Sequence, residues 1–292
     1  MCGTCGCQNP TTDGDHDHDH AHPHDHDPHD HDHPHGHGAG HPHEHVDAQG
    51  RRFTHVHHVP ALAPAGSRIT LDLGAKLLAK NDELAARNRA WFREHAILAL
   101  NIVSSPGSGK TTLLCRTICD LQARRPIYVI EGDQATSRDA DRIRATGAPA
   151  VQLNTGTGCH LEADMIARGV GELRPATGSL VLIENVGNLV CPAMFDLGER
   201  AKVAILSVTE GDDKPLKYPH MFRAAELVLL NKIDLLPYVE FDVAAAIAHA
   251  RQVNPTVTVL CVSARTGEGL PAWYAWIDQQ APDLHAPVPG TA

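Results

Sequence analysis

The chain has 292 residues, a net charge of −10 and eight cysteines. The charge is uneven: residues 1–50 carry ten acids and no Lys or Arg, so the rest balances at 25 acids and 25 bases. A body without basic excess argues against nucleic-acid binding. The lack of an apolar run of about eighteen residues argues against a transmembrane helix, and an N-terminus with neither a basic nor an apolar region argues against a secretory signal.

The first seven residues place thiols at Cys2, Cys5 and Cys7. A C-x-x-C-x-C cluster at a free end can wrap one soft or borderline metal; a redox pair or a passive end is the alternative. Residues 13–45 then alternate His with Asp. Seventeen of the 22 histidines fall within the first 58 residues. The tract has no apolar residues to offset the cost of ordering, so disorder is expected. Its imidazoles, including His16, His18, His20, His22, His24, His26, His29, His31, His33, His35 and His37, suit nickel, copper or zinc. So many equivalent sites imply weak binding and storage. Residues 46–70 read as a linker with Pro60 and Pro64.

From Asp72 to Ala96, Leu73, Leu77, Leu78, Leu84, Trp91 and Phe92 recur at helical spacing and predict one or two helices packing on the body. The Trp91-Phe92 pair reads as core. The apolar run Ile97–Val103 predicts a buried strand, and a helix follows from Thr112. Between them lies Ser-Ser-Pro-Gly-Ser-Gly-Lys-Thr-Thr, residues 104–112. Strand, glycine-rich turn, Lys-Thr and helix is the context of a phosphate-binding P-loop. Gly107 and Gly109 let backbone N–H groups turn inward with Ser108, and the helix N-terminus adds its positive end. Lys110 is expected on the β and γ phosphates, Thr111 on Mg²⁺, and Thr112 beside them. Ser104 stands where the consensus has Gly.

Further strands are predicted at Ile127–Ile130, Ala150–Leu153, Leu180–Ile183, Val203–Leu206, Leu227–Leu230 and Leu260–Val262, with a closing helix over Gly269–Ile277. The turns after them carry chemistry. Asp133 follows the first and either acts on Mg²⁺ or the attacking water, or caps a helix. Cys159-His160 follows a Gly-rich loop, and Glu184-Asn185-Val186-Gly187 resembles the acid-x-x-Gly switch of GTPases. Cys191 lies a short loop further on, so Cys159, His160 and Cys191 read as one metal site. Asn231-Lys232-Ile233-Asp234 is the guanine reader N-K-x-D, in which Asp234 accepts the two N–H donors of guanine. Ser263-Ala264 resembles the loop that meets the guanine O6.

Together the P-loop, residues 184–192, the N-K-x-D turn, the Cys-His pair and the Cys- and His-rich start resemble the HypB family, over residues 1–7 and 70–282. These are P-loop GTPases of the SIMIBI class that assist nickel insertion into [NiFe]-hydrogenase. The resemblance implies Cys2, Cys5 and Cys7 as a tight nickel site, a nickel or zinc site at Cys159, His160 and Cys191, and nickel storage in the histidine tract. It also implies GTP and Mg²⁺ as ligands, with Lys110, Asp133 and Glu184 as catalytic residues. A GTP-dependent homodimer, a small zinc- and nickel-binding partner and the hydrogenase large subunit follow as partners, in a cytoplasmic setting. A urease accessory GTPase and a metal buffer with a regulatory nucleotide module are the alternatives.

The expected fold is α/β: a three-layer P-loop NTPase with a mostly parallel sheet behind a disordered His-rich arm. Its parts are an arm over 1–60, a linker and N-terminal helices over 61–96, a GTPase domain over 97–283 and a frayed tail over 284–292. Hydrolysis should release loops around Asp133 and Glu184, so phosphate chemistry gates metal transfer. With no arginine finger or water-positioning Gln evident, turnover should be slow.

Overall fold

Seven aliphatic and β-branched segments of the chain pair side by side in a single all-parallel sheet. The computed structural model describes residues 43–46, 52–55, 65–133, 138–156 and 158–281. Cys2, Cys5, Cys7 and the histidines from His16 to His37 lie outside the described residues. The chain divides into two units, with the boundary between Leu71 and Asp72.

In the first unit β1 (His43–Val46) and β2 (Arg52–His55) form an antiparallel hairpin, with His43 opposite His55 and Val46 opposite Arg52. This hairpin lies within residues 1–60. The strands include Val46, Phe53 and Thr54, β-branched and aromatic residue types that favour paired strands. Helix α1 (Ala65–Glu94) opens one residue after Pro64, inside the stretch read as linker, and continues as one helix into the second unit. A proline costs nothing there, because first-turn N–H groups have no intrahelical partner.

The second unit continues with β3 (Leu98–Ser104), α2 (Lys110–Leu121), β4 (Ile127–Asp133), α3 (Arg138–Arg144), β5 (Ala150–Asn154), α4 (Ala163–Leu173) and β6 (Leu180–Glu184). It ends with α5 (Cys191–Met194), β7 (Ala201–Ser207), α6 (Lys214–Lys217), α7 (Pro219–Ala224), β8 (Leu227–Asn231), a 3₁₀ stretch Ile233–Tyr238, α8 (Val243–Val253), β9 (Thr258–Cys261) and α9 (Leu270–Gln280). The strand order is β5-β4-β6-β3-β7-β8-β9. Parallel neighbours require crossovers, and the helices supply them on both faces.

Strand alternation sorts β3 between the two faces. Leu98, Leu100 and Ile102 pack with Leu113 and Ile118 of α2, Ile143 of α3 and Trp273 of α9. Ala99 faces Phe92 of α1 and Ile166 of α4, and Val103 faces Phe222 of α7 and Ala246 of α8. Of the aromatic pair, Phe92 is core, whereas Trp91 is only half-buried and stacks on His95 with centroids 4.2 Å apart.

Helix α1 carries polar residues on its packed face. Asn81 donates to Asp196 O at 2.7 Å and accepts from the Ala163 N–H at 2.9 Å. Asn88 donates to Ala163 O and Leu197 O, and Arg89 forks onto Asp196. The helix therefore ties the segment after His160 to the segment after Cys191. Gly198 permits this approach. Its φ is +88°, and an added Cβ would stand 2.5 Å from Ala85 O and 2.6 Å from the Asn88 Cβ. Gly198→Ala should therefore lower stability by about 3 kcal/mol, from left-handed strain plus the clash. Denaturant unfolding measures this, and a loss below about 1 kcal/mol would show that α1 shifts at little cost.

Candidate functional site

The carboxyl ends of the central strands converge on the turn between β3 and α2, the place where parallel α/β sheets bind ligands. Gly107 and Gly109 adopt φ of +75° and +92°. Gly109 is needed twice over, because Asn231 Nδ2 stands 2.7 Å from where its Cβ would be. Ser104 is buried at the end of β3 with a negative φ, so the turn does not need glycine there. The loop, Glu131, Asp133 and Glu184 border a cavity of about 590 Å³.

Glu184 organises the floor of this cavity. It is 1% exposed. Its Oε1 accepts from Lys110 Nζ at 2.8 Å and from Thr111 Oγ1 at 2.7 Å. Register places Glu131 of β4 directly beside it. Glu131 is 2% exposed, and burial, then the Glu184 carboxylate, push its pKa up to about 8. Glu131 Oε2 and Glu184 Oε2 have no hydrogen-bond partner among the described residues. Buried, unpaired carboxylate oxygens are costly. With the Thr111 hydroxyl they form a hard-oxygen donor set that fits Mg²⁺, and the glycine turn leaves room for phosphate oxygens. Glu131 was missed in the sequence, although it stands two residues before Asp133 and so on the same face of the strand.

The other end of the site is built from the N-K-x-D turn and the Ser263-Ala264 loop. Asn231, 1% exposed, donates to Ser108 O at 3.0 Å and accepts from the Ala264 N–H at 3.2 Å, locking the P-loop to the Ser263-Ala264 loop. Lys232 Nζ donates to Gly107 O at 2.7 Å. Asp234 accepts from Ser263 Oγ at 2.6 Å and borders a cavity of about 270 Å³ with Gly109, Thr112, Ala264 and Arg265.

Cys159, His160 and Cys191 come together, their ligand atoms all within 4.8 Å of one another. The two sulfurs are 2.8 Å apart and both cysteines are reduced. Burial lowers the pKa of His160, which favours the neutral imidazole over the charged one. Its ring stacks on Phe195 with centroids 3.8 Å apart; Nε2 lies 3.7 Å from Glu162 Oε1 and has no hydrogen-bond partner among the described residues. Two thiols and an imidazole suit zinc or nickel. Among the described residues the cluster offers three ligand atoms, one fewer than a closed tetrahedral site needs.

One side chain joins the two sites. Asn185 Oδ1 accepts from the Leu161 N–H at 3.2 Å and from the Val186 N–H at 3.0 Å, while its Nδ2 donates to Asn101 Oδ1 at 3.2 Å. Leu161 also packs against Gly132, where a Cβ would stand 2.6 Å from Leu161 Cγ. The loop bearing Cys159 and His160 thus rests on residues adjoining Glu131, Asp133 and Glu184. Asn101, a polar residue inside an apolar strand, was the available sequence signal for this network.

A P-loop bordering a phosphate-sized cavity makes this chain a P-loop nucleotide-binding protein. The family model "CobW/HypB/UreG, nucleotide-binding domain" matches residues 98–261. Hydrogenase maturation factor HypB of Azotobacter vinelandii is 61% identical over 223 residues, covering 76% of this chain and 73% of that protein. HypB of Escherichia coli K12 is 57% identical, with 76% of each chain covered. The crystal structure of HypB from Archaeoglobus fulgidus superposes with a TM-score of 0.66 at 39% identity, covering 70% of this chain and all of that one. HypB from Helicobacter pylori in complex with nickel gives 0.64 at 36% identity, over 71% of this chain and 99% of that one. The chain belongs to the CobW/HypB/UreG family, and within it to the HypB proteins.

Glu131 gives the site a pH signature. In the fold it stays protonated up to about 8, against an ordinary value of 4.5. Its contribution to stability is therefore full in acid and is lost as pH rises through this window. Melting of the nucleotide-free protein should show a decline from about pH 4.5 to 8 that is shallower in Glu131→Gln. Parallel pH profiles for the two proteins would show that the carboxyl is solvated.

Proposed function

We propose that the protein hydrolyses GTP and carries nickel through Cys159, His160 and Cys191 to [NiFe]-hydrogenase during its maturation, with the nucleotide state setting the geometry of these ligands. The observation that carries this reading is the Leu161 N–H to Asn185 Oδ1 hydrogen bond, which fixes the Cys-His loop to the residue after Glu184. The names of the relatives, hydrogenase maturation factors and a HypB in complex with nickel, support the cargo and the recipient.

In this reading Lys110 turns from Glu184 to the phosphate oxygens when GTP enters. Glu184 then needs another positive partner. Thr111, Asp133 and Glu184 would hold Mg²⁺, which when bound offsets the charge of the β and γ phosphates. Asp234 accepts from guanine N1–H and N2–H, and the Ala264 loop meets O6. Loss of the γ phosphate lets Lys110 return to Glu184. Glu184 and Asn185 are adjacent, so this exchange is felt at Leu161 and then at His160 and Cys159.

Cys2, Cys5 and Cys7 would hold nickel tightly and the histidine tract would store it weakly, on the strength of their donor chemistry alone. A GTP-dependent homodimer, a small zinc- and nickel-binding maturation partner and the hydrogenase large subunit are the proposed partners, in the cytoplasm. Exposed apolar side chains near the metal ligands suit such a surface: Val190 and Met194 flank Cys191, and Leu77 borders a cavity with Phe195.

Two measurements test the reading. Nickel titration of a variant lacking residues 1–60 should give different affinities with GDP and with a non-hydrolysable GTP analogue. Asn185→Ala should narrow that difference while leaving nucleotide binding within about threefold, a shift below the ~1 kcal/mol scale of one hydrogen bond. Equal nickel affinity in both nucleotide states of the parent would overturn the gating. Separately, Asp234→Asn should move preference from guanine to xanthine nucleotides, because the amide offers a donor where guanine also offers one. Equal affinity of the parent for ATP and GTP would overturn the guanine assignment.

A further inference from the structure

We propose that Arg142 on α3 clamps the α-phosphate of the bound guanine nucleotide. The inference rests on the GTP reading and adds a substrate contact that no motif contains. Arg142 Nη2 donates to Thr112 Oγ1 at 2.8 Å, and Nη1 pairs with Asp139 Oδ1 at 3.3 Å. Both Arg142 and Asp139 border the phosphate cavity. The guanidinium is half-exposed and keeps N–H donors beyond those two contacts.

Its position along the ligand follows from the cavities. The phosphate cavity and the base cavity share Gly109, Thr112 and Lys232. A nucleotide spanning both must cross at these residues, and the part that links base to β-phosphate is the ribose and α-phosphate. Arg142 stands on Thr112, at that crossing. Lys110 and Glu184 lie toward the β and γ phosphates, so the γ end has its own cation. The packing of α3 holds the guanidinium in place: Ala140 and Ile143 are buried at 1% and 0%, and Ile143 joins Leu113 and Ile118 of α2 in the core.

A contact to the α-phosphate is made equally to GTP, GDP and the transition state. It strengthens binding without accelerating the chemical step. Arg142 is therefore a substrate-binding residue of a different kind from an arginine finger, whose removal would act on kcat. Asp139 keeps the side chain in place while the site awaits nucleotide.

The experiment measures equilibrium binding of GTP, GDP, GMP and guanosine to the full chain and to Arg142→Ala and Arg142→Lys, with steady-state hydrolysis alongside. Arg142→Ala should weaken GTP, GDP and GMP by a common factor of about ten, the scale of a charge-assisted hydrogen bond at a half-exposed site. Guanosine, which has no phosphate, should bind both proteins equally. The loss should fall on KM, with kcat at saturating GTP within about twofold, and Arg142→Lys should recover part of the affinity. Unchanged GDP and GMP binding in Arg142→Ala would overturn the clamp, as would a loss confined to kcat or one shared by guanosine. Failure of the parent to bind any guanine nucleotide would instead overturn the GTP reading itself, and the clamp with it.

Discussion

Two carboxylates buried side by side set the terms for the rest of the site. Glu131 and Glu184 occupy register positions on neighbouring strands at 2% and 1% exposure. Two such anions without partners would cost several kcal/mol each. The fold offsets this in two ways: Lys110 and Thr111 satisfy one oxygen of Glu184, and Glu131 keeps a proton up to about 8. Both arrangements are provisional by nature. The lysine belongs to a loop shaped for phosphate, and a nearby cation would favour loss of the proton. A nucleotide-free site built this way is charge-balanced but leaves two buried oxygens without hydrogen bonds, which is the condition a metal-bound polyphosphate would relieve.

The same strand end also lies a short path from the Cys159-His160 loop. Asn185 follows Glu184 directly and has three hydrogen bonds, to Leu161, Val186 and Asn101. A buried amide with its capacity used in this way cannot move alone. Asn101 in turn bonds Glu199, which also pairs with Lys202. On the far side, Asn81 and Asn88 of α1 hold Ala163, Asp196 and Leu197. Cys159, His160 and Cys191 thus lie between a helix that ties the outer ends of their loops and the Glu184-Asn185 strand end that holds the inner ones. On the proposed reading, a displacement at Glu184 would alter the geometry of these three side chains, because their outer ends are held by α1.

Whatever depends on neighbours in the sequence was legible before the structure. The P-loop, N-K-x-D, Ser263-Ala264 and the Cys-His pair are contiguous, so their spacing made them visible as motifs, and the central strands were visible as aliphatic runs. Strand ends were less legible. The predicted Ile127–Ile130 runs on to Asp133, because Asp133 pairs with Asn154 of β5, and pairing overrides the Glu-Gly-Asp composition. The amphipathic helices α4 and α8 passed unnoticed between stronger motifs. Asn185, Gly132 and Arg142 were not legible at all. Each acts on a residue distant in the sequence, and only the folded register brings them together.

On the proposed reading, the number of ligands bears on which cluster would store metal and which would transfer it. A structural zinc site closes with four protein ligands, and one that exchanges its cargo keeps a position free. Cys159, His160 and Cys191 supply three, one of them on the short helix that follows the switch. The histidine tract has the opposite design, many imidazoles with no fixed partners in sequence, which suits capacity and not selectivity. A chain with both can hold much metal weakly and present one ion at a time on a defined surface. The Val190 and Met194 side chains beside Cys191 are exposed at 38% and 52%, so that surface has apolar contacts to offer a protein partner. A ligand from a second molecule would then make delivery depend on docking as well as on nucleotide, since neither molecule alone closes the site.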